Sequence, residues 1–238
     1  MRLSVNIDHI ATVRNARGGD VPDPIEGARI AERAGAEGIV CHLREDRRHI
    51  RDEDVKTLRK IVTTKLDLEM AATPEIISFA LKLKPDLVTL VPEKREELTT
   101  EGGLDVYRLR KTLKRVVKQF HDNRIPVSLF VDPDPLQIQT ARDIESDFIE
   151  LHTGDYANTK TTLSAKKNLR QIEAMAALGH KFGMRVNAGH GLNYDNIKPI
   201  SGISNIEEAS IGHAIIVRAL FVGLDSAVRE MLKLMGKK

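Results

Sequence analysis

Short apolar runs alternate with longer amphipathic stretches along the whole 238-residue chain, and this alternation constrains the fold more than any other feature. Eight runs read as strands: Leu3–Asp8, Gly38–Leu43, Leu66–Met70, Leu87–Pro92, Val127–Asp132, Phe148–Thr153, Arg185–Ala188 and Ala209–His213. Helical patterns fill most of the gaps. Asp23-Pro24 ahead of Ile25, Ala28, Ile30 and Ala31 is a capped start with Gly35 as its stop, and Thr73-Pro74-Glu75 supplies a cap, a first-turn proline and an early acid. Further helices run from about Asp105 to His121, Leu136 to Ile144, Ser164 to Leu178, and from near Val217 to Met235. Repeated strand-then-helix units imply parallel strands with right-handed crossovers, and eight of them close into an α/β (β/α)8 TIM barrel. An open doubly wound sheet is the alternative, but Arg17-Gly18-Gly19 lacks the dinucleotide-binding spacing.

No linker, low-complexity tract or shift in composition interrupts the pattern, so residues 1–238 read as a single domain. Hydrophobic residues make up 41% and charged residues 30%, an ordinary soluble balance. No apolar run approaches the roughly 20 residues that span a bilayer, and Met1-Arg2-Leu3-Ser4-Val5-Asn6 passes straight into a strand without a signal peptide. A cytoplasmic protein with no membrane partner is expected. The lone Cys41 excludes an internal disulfide and a thiolate metal cluster, and its apolar surroundings suit a buried structural thiol better than a nucleophile. A net charge of +3, basic residues interspersed with acids, and 4% aromatics without tryptophan argue against nucleic acid. Anionic small molecules are the natural partners.

In a barrel the active site lies at the carboxyl ends of the strands. Polar residues gather there: Asn6-Ile7-Asp8-His9, His42-Leu43-Arg44, Glu69, Glu93, Asp132, Glu150-Leu151-His152-Thr153-Gly154, Asn187-Ala188-Gly189-His190-Gly191 and Gly212-His213. Of the eight histidines, only His121 and His180 fall in helical patterns. Glu69, set among Leu66, Leu68 and Met70, is either a desolvated general base or the partner of a barrel cation. His42 and His190 suit acid and base steps because imidazole changes charge near neutral pH. Glycines at 189, 191 and 212 sit after the seventh and eighth strands, where barrels of this class bind phosphate through backbone N–H groups; plain turns would use them too. Arg17, Arg44 and His49, with Thr99 or Thr100, form a second candidate anion site. Glu150 and His152, two apart on one strand, could share a cation, yet other closely spaced ligands are lacking and no metal is expected.

These stretches carry a family resemblance. Val5-Asn6-Ile7-Asp8-His9-Ile10-Ala11-Thr12, Arg14-Asn15-Ala16-Arg17-Gly18, His42-Leu43-Arg44-Glu45-Asp46-Arg47-Arg48-His49-Ile50, Val91-Pro92-Glu93-Lys94-Arg95, Thr99-Thr100-Glu101-Gly102-Gly103-Leu104, Val186-Asn187-Ala188-Gly189-His190-Gly191-Leu192 and Ile211-Gly212-His213-Ala214-Ile215 resemble the pyridoxine 5′-phosphate synthases. The resemblance covers essentially the whole chain. It implies a TIM barrel with extra helices, a homo-octamer, and condensation of 3-amino-2-oxopropyl phosphate with 1-deoxy-D-xylulose 5-phosphate to pyridoxine 5′-phosphate, phosphate and water, without a cofactor. By position, His42 and Glu69 match proton acceptors, His190 the proton donor, and Glu150 the residue that stabilises the transition state. Asn6, Arg17, Gly191, Gly212 and His213 match positions that hold the amino-ketone phosphate; Asp8, His9, Arg44, His49 and Thr99 match those that hold the deoxyxylulose phosphate. Val217 stands where the pattern has something smaller, and Glu93 to Leu104 reads as a lid that excludes water. The competing readings are a single-substrate phosphosugar isomerase or aldolase, and a non-catalytic ligand-binding barrel.

Overall fold

The computed structural model describes residues 1–93 and 102–237. Its strands are β1 (Arg2–Asn6), β2 (Gly38–His42), β3 (Leu66–Met70), β4 (Leu87–Leu90), β5 (Val127–Val131), β6 (Phe148–His152), β7 (Arg185–Gly189) and β8 (Glu208–Ile211). They pair in sequence order, all parallel, and β8 returns to β1, so the sheet closes as the expected (β/α)8 barrel. The helices among the described residues are α1 (Asp8–Arg17), α2 (Pro24–Arg33), α3 (Asp52–Ile61), α4 (Pro74–Leu83), α5 (Val106–His121), α6 (Pro135–Asp143), α7 (Gly154–Ala157), α8 (Thr162–Lys181), α9 (Ile197–Ser201), α10 (His213–Val222) and α11 (Leu224–Leu234). None is long and apolar enough to cross a membrane.

Six strands end one or two residues earlier than the sequence suggests, and the shifts in β1 and β8 matter for the rim. The Asn6 side-chain oxygen accepts the Asp8 amide at 2.9 Å, a local turn that ends β1 and starts α1 without a connecting loop. Gly212 likewise caps α10, and His213 is its first residue. His9 and His213 therefore sit in opening helical turns, so four rather than two of the chain's histidines are helical. Near the C-terminus, the one long helix expected from Val217 is two, broken where Gly223 takes a φ of 81° that other residues seldom adopt. Asp23 and Asp134 cap α2 and α6 through side-chain bonds, whereas the Thr73 hydroxyl makes no capping bond and is buried without a partner among the described residues. Helix α3 was not anticipated, although Asp52, Glu53 and Asp54 open it and Val55 and Leu58 form its buried face.

Period-two alternation divides each strand between two environments. Leu3, Val5, Ile39, Cys41, Leu66, Leu68, Leu129, Ile149, Leu151 and Ala209 are fully buried in the layer between sheet and helices, which makes Cys41 the structural thiol expected. Most of the alternate positions are polar and point into the barrel, beside a few apolar ones such as Val40 and Phe130. Ser4 donates to Glu208 at 2.7 Å, Thr89 donates to Asp67 at 2.8 Å, and Lys65 bridges Glu208 and Asp67. Barrel interiors more usually hold layers of branched apolar residues. Here desolvation falls on carboxylates instead. Burial pushes Asp67 up to about 6 against the opposing pull of Lys65. Burial, then Asp67 and Glu208, push Glu150 up to about 8.

A second buried charge ties α1 to the loop after β2. Arg14 donates to both Asp54 oxygens at 2.8 and 2.9 Å and to the His49 carbonyl at 3.0 Å, and both side chains are largely inaccessible. Asp54→Ala leaves this guanidinium unpaired and is expected to cost about 3 kcal/mol in denaturant unfolding at fixed protein concentration, while the joint change of Arg14 and Asp54 to leucine should recover much of it. The interior carboxyls set a pH dependence of the opposite sign to ordinary acid denaturation. A carboxyl with a raised folded pKa stabilises fully below its unfolded value, about 4, and loses that contribution as pH rises through the folded value. Stability should therefore fall between about pH 4 and about pH 8 on account of Asp67 and Glu150. Glu150→Gln should flatten the upper half of that fall in a series of melting temperatures; an unchanged slope would mean that Glu150 titrates as an ordinary carboxylate.

Candidate active site

The carboxyl ends of β1, β2 and β3 bring four of the expected residues into one cluster. Asn6 donates to Asp8 at 3.0 Å and to Glu69 at 3.4 Å, and Asp8 accepts the His42 main-chain N–H at 2.9 Å. The strand register places His42 beside Glu69, with His42 Nδ1 4.0 Å from Glu69 Oε2. His42 Nε2 lies 2.7 Å from Glu93 Oε1, and the other Glu93 oxygen accepts the Glu45 amide at 3.1 Å. A carboxylate only accepts, so the neutral ring carries its proton on Nε2 and leaves Nδ1 as the acceptor facing Glu69. Burial works to raise Glu93, yet the hydrogen bonds from His42 and Glu45 hold it below the usual range.

Glu69 shows the reverse balance. Burial, then the nearby Glu150, Asp8 and Asp67 charges, push it well above the ordinary carboxylate value, and Arg44 only partly offsets them. It is thus the desolvated carboxyl of the two sequence readings, with no cation bonded to it among the described residues. Asp8, His42 and Glu69 also offer one ligand atom each within 4.8 Å of one another, a spacing that could hold a metal ion; Glu150 and His152 belong to no such group of three among the described residues.

Across the rim, Glu150 and His152 project from β6 toward β7. A Cβ on Gly189 would stand 1.9 Å from Glu150 Oε1, so only glycine lets this carboxyl lie against the neighbouring strand. The Thr153 hydroxyl reaches the Gly189 and His190 carbonyls at 2.8 and 2.6 Å and pins the strand end, while His190 and Gly191 follow at φ values of 74° and 76°. His190 is held low first by burial and then by the charge of His152.

The remaining expected residues fall around these two clusters. His9 and His213 face each other with ring centroids 5.1 Å apart, and Gly212 lies against Asn6. His49 packs 6.1 Å from the His42 ring and accepts the Ile50 amide on Nδ1; burial holds it low, with Asp8 opposing and His42 and Arg44 adding to the effect. Arg44 is only 4% exposed, its carbonyl accepts from Arg47, and its guanidinium makes no hydrogen bond or ion pair with a described residue. Arg17 ends α1 exposed, with no side-chain hydrogen bond or ion pair to the other described site residues. Thr99 and most of the Glu93–Leu104 stretch read as a lid lie outside the described residues. Val217 is half-exposed on α10, away from the rim chemistry. Glu93 and Asp132, which the sequence puts at the rim without a role, follow β4 and β5 there and each hold a histidine.

Comparison with known proteins places the chain in a family. A pyridoxine 5′-phosphate synthase of Chlorobium phaeobacteroides is 59% identical over 234 residues, covering 98% of this chain and 99% of that one. The protein of the same name in Pelobacter propionicus is 56% identical over 233 residues, covering 98% of each chain. Among solved structures, KGPDC from Streptococcus mutans superposes with a TM-score of 0.65 at 17% identity, over 99% of this chain and 97% of that chain, which speaks to the barrel alone. Residues 3–237 match the family described as pyridoxal phosphate biosynthesis protein PdxJ, and the chain belongs to that family of vitamin B6 biosynthetic enzymes.

Proposed function

We propose that the chain is a pyridoxine 5′-phosphate synthase. It joins 3-amino-2-oxopropyl phosphate to 1-deoxy-D-xylulose 5-phosphate, closing the pyridine ring and releasing phosphate and water. The observation that carries this reading is the pairing of His42 and Glu69 at one side of the rim with Glu150 and His190 at the other. Imine formation, proton removal, phosphate loss and ring closure each move a proton, and the site holds acids and bases suited to them. The amine arrives with the amino-ketone, so the reaction needs no lysine Schiff base.

In this reading Glu69, desolvated and raised, removes protons next to a carbonyl or imine. His42 accepts on Nδ1 because Glu93 holds its other nitrogen. His190 donates to the leaving group, and Glu150, protonated near neutral pH, stabilises developing charge by hydrogen bonding. The amino-ketone phosphate lies against Gly191, Gly212 and His213, with Asn6 and Arg17 beside it. The deoxyxylulose phosphate is held by Arg44 and His49 with Asp8, His9 and Thr99; the buried guanidinium of Arg44, unbonded among the described residues, supports an anion there. A homo-oligomer, an octamer as in the relatives the sequence resembles, and a cytoplasmic location complete the reading. Leu220 and Phe221, 71% and 81% exposed on α10, support the former.

The direct test is to supply both substrates without added metal and follow product together with phosphate. Equal amounts of the two are expected; binding of both ligands without product would remove the catalytic claim, and binding of only one phosphate compound would favour the single-substrate barrel. Glu69→Gln should keep the binding of both substrates and lose turnover by a factor on the order of a hundred or more. Near-parental kcat in that variant would take Glu69 out of the base role.

A further inference from the structure

His152 belongs to none of the roles above, yet a carboxylate holds it as Glu93 holds His42. Its Nδ1 lies 2.9 Å from Asp132 Oδ1, which also accepts the Gly103 amide at 2.9 Å. Because the carboxylate only accepts, Nδ1 carries a proton and any second proton on the ring sits on Nε2. That Nε2 is fully enclosed and has no hydrogen-bond partner among the described residues, in a residue only 7% exposed. A buried polar atom without a partner costs stability, so its retention calls for a use.

The surroundings of Nε2 indicate what that use is. The His152 and His190 rings lie 5.0 Å apart between centroids, tilted by 59°. A Cβ on Gly154 would stand 2.5 Å from His152 Nε2 and 3.2 Å from His190 Cδ2, so a bare glycine keeps the space between the two imidazoles clear. Phe130 covers the ring at 5.2 Å and shields it from solvent. Asp132 faces His152 from the end of β5, Glu150 lies two residues back on β6, and after burial His152 is what holds His190 low.

We propose that His152, backed by Asp132, is the proton reservoir behind His190. The inference rests on the reading of His190 as donor. When a His190 N–H bond breaks and the leaving group takes the proton, the His152 Nε2–H bond breaks and a new N–H forms on His190. His152 returns to its neutral Nδ1–H form, its charge having moved toward the substrate, and takes a proton from solvent when product leaves. Two imidazoles this close resist holding two protons, so the pair holds one, and Asp132 supplies the counter-charge for it on the His152 side. Acting through His190 and not on substrate, His152 is a positioning residue that also stores charge.

The pH profile of kcat separates this from a structural role. H152N keeps an amide donor toward Asp132 and places nothing at Nε2, leaving His190 to hold the proton alone in a site that burial makes unfavourable for it. The alkaline limb of kcat should move down by on the order of one pH unit, kcat there should fall roughly tenfold or more, and KM for both substrates should stay within about threefold. D132N, which removes the counter-charge, should move the limb in the same direction; if H152N does not fold, H152Q and D132N decide the matter by the same reading. A limb at the parental position, or one displaced upward as relief of simple repulsion would give, overturns the reservoir while an inactive H190N leaves the donor assignment standing. Parental turnover in H190N instead overturns the donor assignment and the reservoir with it.

Discussion

Asp67, Glu69, Glu150 and Glu208 share the interior of one barrel with Lys65 and the edge guanidinium of Arg2, and that crowding of carboxylates governs most of what the structure does. Four desolvated acids cannot all be ionised beside so little positive charge, so protons are retained where solvent would have removed them. Glu208 takes the cations, Asp67 shares Lys65 and the Thr89 hydroxyl, and the two acids nearest the rim are left to hold protons. A core of branched aliphatics would be more stable; this one keeps titratable groups poised near neutrality directly beneath the reaction site. The strands can tolerate it because their outward faces carry a continuous apolar layer against the helices.

The two halves of the rim are tuned in different ways. On the β1–β3 side each group is fixed by hydrogen bonds: Asn6 orients Asp8 and Glu69, Asp8 anchors the His42 backbone, and Glu93 sets the His42 tautomer. On the β6–β7 side space is controlled instead. Glycines at 154 and 189 admit His152 and Glu150 to positions that any side chain would occupy, and Thr153 locks the carbonyls behind them. Bases that must accept from a particular carbon profit from fixed direction; donors that serve several leaving groups profit from room to turn.

Much of this was legible in the sequence because barrel topology converts a one-dimensional rule, polar residues just after apolar runs, into a three-dimensional cluster. The rule placed Glu69, His42, Glu150 and His190 correctly on the rim. It failed where local chemistry overrode strand periodicity: Asn6 bonding the Asp8 amide turns two expected strand residues into a helix start, and Gly212 does the same for His213. Glu93 and Asp132 stood at strand ends but carried no neighbouring histidine in sequence, since His42 and His152 reach them from other strands. Partnerships across strands depend on register, which composition and spacing do not encode.

Arginine pairing carries the argument one step further. Arg14 is spent on Asp54, Arg47 on Asp52 and Glu75, and Arg48 on Asp46, so these three basic residues around the loop after β2 meet carboxylates of the chain itself. Arg44, more buried than Arg47 or Arg48, meets none in a direct bond among the described residues. Burying a guanidinium without such a bond is costly unless an anion arrives to supply one, and a dianionic phosphate matches its planar fork of donors. The acidic interior lowers that cost at a distance through Glu69, whose own proton Arg44 in turn makes easier to lose. An anion bound at Arg44 would draw that compensation away from Glu69 and raise its proton affinity, so that occupancy at Arg44 and proton affinity at Glu69 rise together.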